Sequence, residues 1–383
     1  MRQIRFGDLR INNTAKYYLN RALEKNWVSE GDNVREFEQK FAERFGYKYA
    51  IATSSGTEAG NCCCAAINAD PWLDAQRGDE IIVPALCFVS CANSVLAAGF
   101  TPKFADIDRR TLNVNPELIE KTVTPKTRAI MAVHTMGKPC EMDEIVRIAF
   151  RQSLIIIEDN CEAHGARYRG RVVGHFGNMA YFSFYTAHQV VCGEGGMVVT
   201  DNDRVYNFVK SVKSHGRSPG TLYFDFQRVG FNAKMNDLEA AIGLGELEDF
   251  DKTFLKRRQN RAKLLSLIEN LEGYFYLPKE ENYEVISPHA FPLVLKDEKY
   301  GDGKYGCTPL YKHLERNGIE CKTLFGSLPT QHKAFEFLGY KYGDFPEAEY
   351  VGRNGLQFGI HQYLTDDDLV YIADTLRSYF RSA

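Results

Sequence analysis

The chain has no lysine between Lys138 and Lys210, so no side chain in that stretch can supply a primary amine. It also lacks a surplus of charge: 47 Lys and Arg against 50 Asp and Glu leave a formal net charge of -3, and no basic block changes that balance. General attraction to nucleic acid or to an anionic membrane surface is thereby excluded, and an anionic ligand must be caught locally. No uninterrupted apolar run is long enough to span a bilayer. The start, Met1-Arg-Gln-Ile-Arg-Phe-Gly-Asp, has no apolar stretch of the kind a secretory signal requires. The expectation is a cytoplasmic protein that binds neither nucleic acid nor membrane. Cysteine is not scarce, with 10 residues, but Cys62, Cys63 and Cys64 are consecutive. On a helix they point in three directions, which suits core packing better than ligation of one ion, and no metal is expected.

What is present is enough apolar material for a large domain and a smaller one: 383 residues, 44% hydrophobic and 25% charged. Residues 34–42 have the periodicity of an amphipathic helix. After them the short apolar runs 49–52, 81–83, 103–107, 129–133 and 154–157 each precede a helix-compatible stretch. Such alternation implies an α/β protein with a largely parallel sheet covered on both faces. A long helical stretch from Met235 through Leu247 and the basic segment Lys256-Arg-Arg-Gln-Asn-Arg then leads into a small α/β lobe. Strands are expected there over 286–295 and 319–323, with a helix over 309–317.

The stretch Phe182-Ser-Phe-Tyr-Thr-Ala-His-Gln-Val-Val-Cys-Gly-Glu-Gly-Gly lies between strand-like runs and puts His188 on the connecting loop. Thr53-Ser-Ser-Gly-Thr-Glu-Ala follows a strand and opens a helix, where amides and hydroxyls either hold a phosphate or simply cap the helix. Glu158-Asp-Asn-Cys-Glu follows the strand 154–157 and delivers Asp159 and Glu162 to its carboxyl end, where open α/β sheets bind ligands. Ser183, Phe88 and Asn232 each have a plain structural reading as well: a strand hydroxyl, a core ring and a turn residue. His215 is as readily a solvated loop residue as a ligand-facing one.

In their order, and from Trp27 to Gly359-Ile-His-Gln, these motifs resemble the sugar aminotransferase and dehydratase family (DegT/DnrJ/EryC1/StrS type) of fold-type I pyridoxal-phosphate enzymes. The resemblance implies that transferase fold, with a large cofactor-binding domain over 1–250 and a small C-terminal α/β domain over 251–383. A mostly parallel mixed sheet would lie between helices in the large domain. The resemblance also implies a cofactor phosphate at Gly56, Thr57 and Ser183, a pyridine ring stacked on Phe88, and Asp159 paired with the ring nitrogen. Glu162 would serve both cofactor and chemistry; its place is commonly glutamine in the aminotransferases and acidic in the dehydratases. Asn232 would cross to a partner's cofactor phosphate, making a homodimer with shared active sites. Where the family has Ser-Phe-x-x-x-Lys, His188 replaces the lysine. An imidazole cannot form a stable imine with the cofactor aldehyde. Its ordinary pKa of about 6.5, against about 10.4 for lysine, is suited to moving protons near neutrality.

His188 and Glu162 together resemble the family's branch of 3-dehydratases for GDP-linked 4-keto-6-deoxy sugars. That likeness implies pyridoxamine phosphate as the working form of pyridoxal phosphate, and L-glutamate as the donor that restores it. The substrate would be a nucleotide-linked 4-keto-6-deoxy sugar that loses its C3 hydroxyl, with His188 as acid and base and Asp159 supporting the ring. Some dehydratases with this histidine hold an iron-sulfur cluster, but no cysteine occurs between Cys192 and Cys307, so the downstream ligands are missing. Two other readings stay open: a nucleotide-sugar aminotransferase whose lysine has been replaced, and a cofactor-binding regulator without catalysis.

Overall fold

The computed structural model describes residues 2–218, 220, 222, 224–296 and 306–382. The large sheet is built from β1 (Tyr49–Thr53), β2 (Glu80–Pro84), β3 (Thr101–Ala105), β4 (Thr127–Val133) and β5 (Ile155–Asp159). Two short strands follow, β6 (Arg167–Tyr168) and β7 (Arg171–Val172), before β8 (Met179–Ser183) and β9 (Gly196–Thr200) complete the sheet. The order across it is β1-β9-β8-β5-β4-β2-β3. β9 runs against β1 and β8, while the pairs β5–β8, β4–β5, β2–β4 and β2–β3 are parallel. Helices cover both faces, so the strands are apolar along their length rather than alternating; every residue of β9 is buried.

The helix Gly56–Ala69 shows why the cysteine triplet is tolerated. It lies on β8 and β9 and is flanked by the helices Ser90–Ala97 and Asp203–Lys213, so it is covered on several sides. Cys62, Cys63 and Cys64 are all fully buried in one core with Ile51, Ile81 and Val83.

The expected long helix after Met235 is two helices, Asp237–Glu248 and Phe250–Leu267. The break falls at Asp249, whose backbone leaves helical values (φ -88°, ψ 3°). Its carboxylate is held by Asn12 at 2.9 Å and Lys252 at 3.0 Å.

The small lobe has an antiparallel sheet of β10 (Phe275–Tyr276), β12 (Ala290–Leu295), β13 (Cys321–Thr323) and β14 (Gly355–Gly359), in the order β10-β12-β14-β13. The strand expected over 286–295 begins only at Ala290. Just before it, β11 (Glu284–Val285) pairs with β6 of the large lobe. Residues 286–289 therefore bridge the lobes, and this carries His289 to the site. Ile4 packs with Leu264, Phe291 and Leu356 in the second core and pairs with Ile319. No helix among the described residues is long and apolar enough to cross a membrane.

Candidate active site

The carboxyl ends of β1, β5 and β8 point the same way, and bring Thr53, Asp159 and Ser183 to one edge of the sheet. The strand expected to end at residue 157 continues through both acids, with Asp159 opposite Val133 and Tyr181. Because successive side chains alternate in a strand, the two carboxylates part company. Glu158 is structural: it accepts the amides of Gly174, Phe176 and Gly177 at 2.5–2.7 Å and faces His134 Nε2 at 3.2 Å. The Cys140 amide donates to His134 Nδ1 at 3.0 Å, so the ring proton sits on Nε2. Asp159 accepts from the Tyr181 hydroxyl at 2.6 Å, the Cys91 thiol at 3.2 Å and the Cys161 amide at 2.9 Å. Burial pushes the Tyr181 phenol well above its ordinary range, so it remains a donor.

At the next strand, a Cβ added to Gly56 would lie 2.5 Å from the Ser183 Cβ and 2.9 Å from its Oγ. Glycine is what lets the helix start press against the end of β8. Ser55 caps that helix by accepting the Glu58 amide at 3.1 Å. The amides of Gly56 and Thr57 are left as first-turn donors beside the Ser183 hydroxyl, with the helix dipole behind them. Ser55 thus caps the helix while the next two amides stay free of the cap.

Phe88 is 58% exposed and meets Phe325 edge-on at 6.0 Å, so it is a surface ring and not a core one. Asn232 is exposed and takes the Lys234 ammonium on its Oδ1. Its neighbour Ala233 accepts the Ser54 amide at 3.0 Å, which ties this segment to the Gly56 turn. His215 is exposed with φ 60°.

His188 is buried on the loop after β8, its amide donating to Tyr185 at 2.9 Å. Its Nδ1 lies 3.2 Å from Nδ1 of His289. Nε2 of His289 lies 3.7 Å from Oε1 of Glu162, whose Oε2 accepts the Met136 amide at 2.6 Å. Met136 takes the left-handed φ of 56° to aim that amide. The electrostatics correct the sequence-based expectation of a histidine tuned near neutrality. Burial first, then the charges of Arg257 and Lys322, lower His188 to about 3. Burial and the Asp159 charge raise Glu162 to about 8, against the opposing Met136 amide. At this buried pair the imidazole is neutral and the carboxyl group holds a proton at neutral pH.

Two residues escaped the sequence reading. His289, in Ser287-Pro-His, belongs to no motif. Its segment is drawn in at Gly137 (φ 80°), where an added Cβ would fall 1.6 Å from the Ser287 carbonyl oxygen. Arg257 sits in a basic run that looks solvated, yet it is fully buried and donates to the carbonyls of Ala187, His188, Pro288 and His289.

A helix start with first-turn amides, a fixed carboxylate and an exposed aromatic ring fit a phosphorylated pyridine cofactor. Residues 10–377 match the DegT/DnrJ/EryC1/StrS aminotransferase family. The chain belongs to this family. It is 32% identical over 366 residues to the GDP-perosamine synthase of Escherichia coli O157:H7, covering 95% of each chain. It is 30% identical over 362 residues to the GDP-4-keto-6-deoxy-D-mannose 3-dehydratase of Yersinia pseudotuberculosis, covering 90% of each. The solved E. coli GDP-4-keto-6-deoxy-D-mannose-3-dehydratase with bound hydrated pyridoxal phosphate matches with a TM-score of 0.88 and 28% identity, over 98% of this chain and 100% of that one. As a member of the DegT/DnrJ/EryC1/StrS family the chain has the fold of pyridoxal-phosphate aminotransferases and uses their cofactor.

Proposed function

We propose that the protein is a 3-dehydratase that removes the C3 hydroxyl of a nucleotide-linked 4-keto-6-deoxy hexose, with pyridoxamine phosphate as cofactor and L-glutamate restoring its amine. The carrying observation is His188: in the family's lysine position stands a buried imidazole, joined through Nδ1 to a second histidine that faces Glu162. Such a group moves protons and cannot tether the cofactor.

Pyridoxamine phosphate, when bound, supplies the amine that condenses with the C4 ketone and a ring that takes up electrons. Gly56, Thr57 and Ser183 hold the phosphate through amides and hydroxyl. Asp159, fixed by Tyr181 and Cys91, keeps a proton on the ring nitrogen. Phe88 covers one face of the ring. His188 takes a proton at Nε2, the nitrogen left over from its contact with His289, and delivers one to the departing C3 hydroxyl. Asn232 of a second copy completes the phosphate site in a homodimer.

An aminotransferase is the second reading, favoured by the perosamine synthase likeness. It would need another amine, and Lys322 is the candidate, since its ammonium lies 5.8 Å from the Tyr185 ring beside His188. Mass spectrometry of products from pyridoxal phosphate, L-glutamate and a panel of nucleotide-linked 4-keto-6-deoxy sugars separates the readings. A product one oxygen lighter supports dehydration and identifies the nucleotide; an amino sugar overturns it. An inert regulator would leave both sugar and glutamate unchanged.

A further inference from the structure

His188 lowered to about 3 is a poor place to store a proton, yet an acid and base must hold one between its two tasks. The Glu162 carboxyl group, raised to about 8, is a good one, and His289 lies between them. We propose that His289 is a relay and positioning residue, which passes a proton between Nδ1 of His188 and the Glu162 carboxylate and so lets His188 act as base and then acid. The inference rests on the acid–base reading of His188 above.

The geometry sets the sequence of transfers. Two Nδ1 atoms 3.2 Å apart must share a single proton when both rings are neutral, since two lone pairs or two N–H groups would repel. The base form is the one with Glu162 ionised, the minor form at neutral pH and the major one above about 8. When a proton arrives at Nε2 of His188 in that form, its Nδ1–H proton moves to Nδ1 of His289. The Nε2–H proton of His289 then passes to Oε1 of Glu162. Each N–H bond broken within the chain is matched by one formed, and the arriving proton is accounted for by the new O–H bond. Both rings exchange tautomer and stay neutral, which avoids an imidazolium next to the Arg257 guanidinium. The reverse sequence returns the proton to Nε2. The 3.7 Å gap to Glu162 must close by about 0.5 Å to reach hydrogen-bond distance, a movement that rotation of the two side chains supplies without a ligand.

The groups facing this path are the Asp159 carboxylate, the His164 ring 5.9 Å from His188, Arg257, Lys322 and Tyr185. Burial holds His164 well below its ordinary range and leaves Arg257 at about 10, so neither titrates near the Glu162 value.

The test uses the cofactor-free full-length protein labelled with 15N-histidine, with the His188 signals assigned against His188→Asn. As pH rises through about 8, where Glu162 loses its proton, His188 should switch from Nε2–H to Nδ1–H. His289→Asn, which can accept a hydrogen bond but cannot relay, should abolish the switch. Glu162→Gln should abolish it too, and carries the test if the asparagine variant does not fold. Turnover of His289→Asn should fall about 100-fold with little change in KM. A His188 tautomer that ignores pH in the wild type, or a switch that survives in a folded variant, overturns the relay. Because no substrate is present, the spectra stand whether the sugar product proves deoxygenated or aminated.

Discussion

Arg257 donates to the carbonyl oxygen of His188 at 2.9 Å and, from the same guanidinium, to that of His289 at 3.1 Å. One buried cation thus holds the two loops that carry the imidazole pair. The cation also donates to Gln362 Oε1 at 3.0 Å, on the segment that follows β14. Hydrogen bonds to a charged donor contribute about 1.5–3 kcal/mol each, and they are not additive. Arg257→Leu, which strands several buried carbonyls, should lose at least about 3 kcal/mol in urea unfolding. Arg257→Lys should recover only part of it, because an ammonium cannot present the planar fork. A leucine variant as stable as wild type would remove this clamp from the account.

His188→Lys restores a primary amine where the family has its lysine. The same burial and neighbouring charges that depress the imidazole should depress the new ammonium, and favour the nucleophilic neutral form. Borohydride treatment with pyridoxal phosphate should therefore fix the cofactor covalently to the variant and leave wild type unmodified, as read by intact-protein mass. Trapping on wild type at Lys322 would instead support the aminotransferase reading.

The sheet was legible because its strands are buried on both faces and read as apolar runs, and the loop bearing His188 was legible because glycines and a family pattern frame it. The boundaries slipped where side chains mattered more than pattern. β5 runs on through Glu158 because three amides and His134 satisfy that buried acid, a partnership set by residues 134 and 174–177. His289 and Arg257 could not be found at all, since neither belongs to a local motif and their roles arise from a meeting of lobes. The titration of His188 was misjudged for the same reason: an imidazole's pKa depends on burial and on charges from residues 257 and 322, far away in the chain.

Gly56→Ala tests the proposed phosphate cradle. The added methyl would meet Ser183 at 2.5 Å on a backbone that is packed on both sides. Overpacking of this kind costs about 1–3 kcal/mol. Thermal unfolding should register that loss. Cofactor affinity should fall at least about tenfold, because the shift moves the donors of Gly56 and Thr57 as well. Unchanged affinity would place the phosphate elsewhere.

Glu162 makes stability depend on pH in a defined direction. Its folded pKa of about 8 stands above the ordinary 4.5, so between these values the folded chain binds the extra proton. Stability from this group is complete below 4.5 and is lost as pH rises to 8, by up to about 1.4 kcal/mol per pH unit. His188 acts in the opposite sense, losing stability as pH falls from 6.5 toward 3, so it is silent above 6.5. Glu246, which burial raises to about 7, is common to both proteins and cancels in their difference. Urea unfolding of Glu162→Gln and wild type, both at about pH 6.5 and about pH 8.5, should show the variant gaining relative stability at the higher pH. A difference that does not change with pH would mean that Glu162 is already ionised in the fold.

Asn232 is exposed on a segment tied to the Gly56 turn through Ala233, and a side chain so placed can reach a neighbouring copy. If it serves the partner's site, two inactive proteins should repair each other. Asn232→Ala lacks the crossing residue and His188→Asn lacks the acid–base group. In a mixed dimer both lesions fall on one site: the His188→Asn chain's own pocket, which receives the alanine. The other site has an intact His188 and an intact Asn232 from its partner. Mixing equal amounts after reversible dissociation gives about half mixed dimers, each with one working site, so about a quarter of wild-type turnover should return. If Asn232 acts within its own chain, each site of the mixed dimer keeps one lesion, and no activity returns.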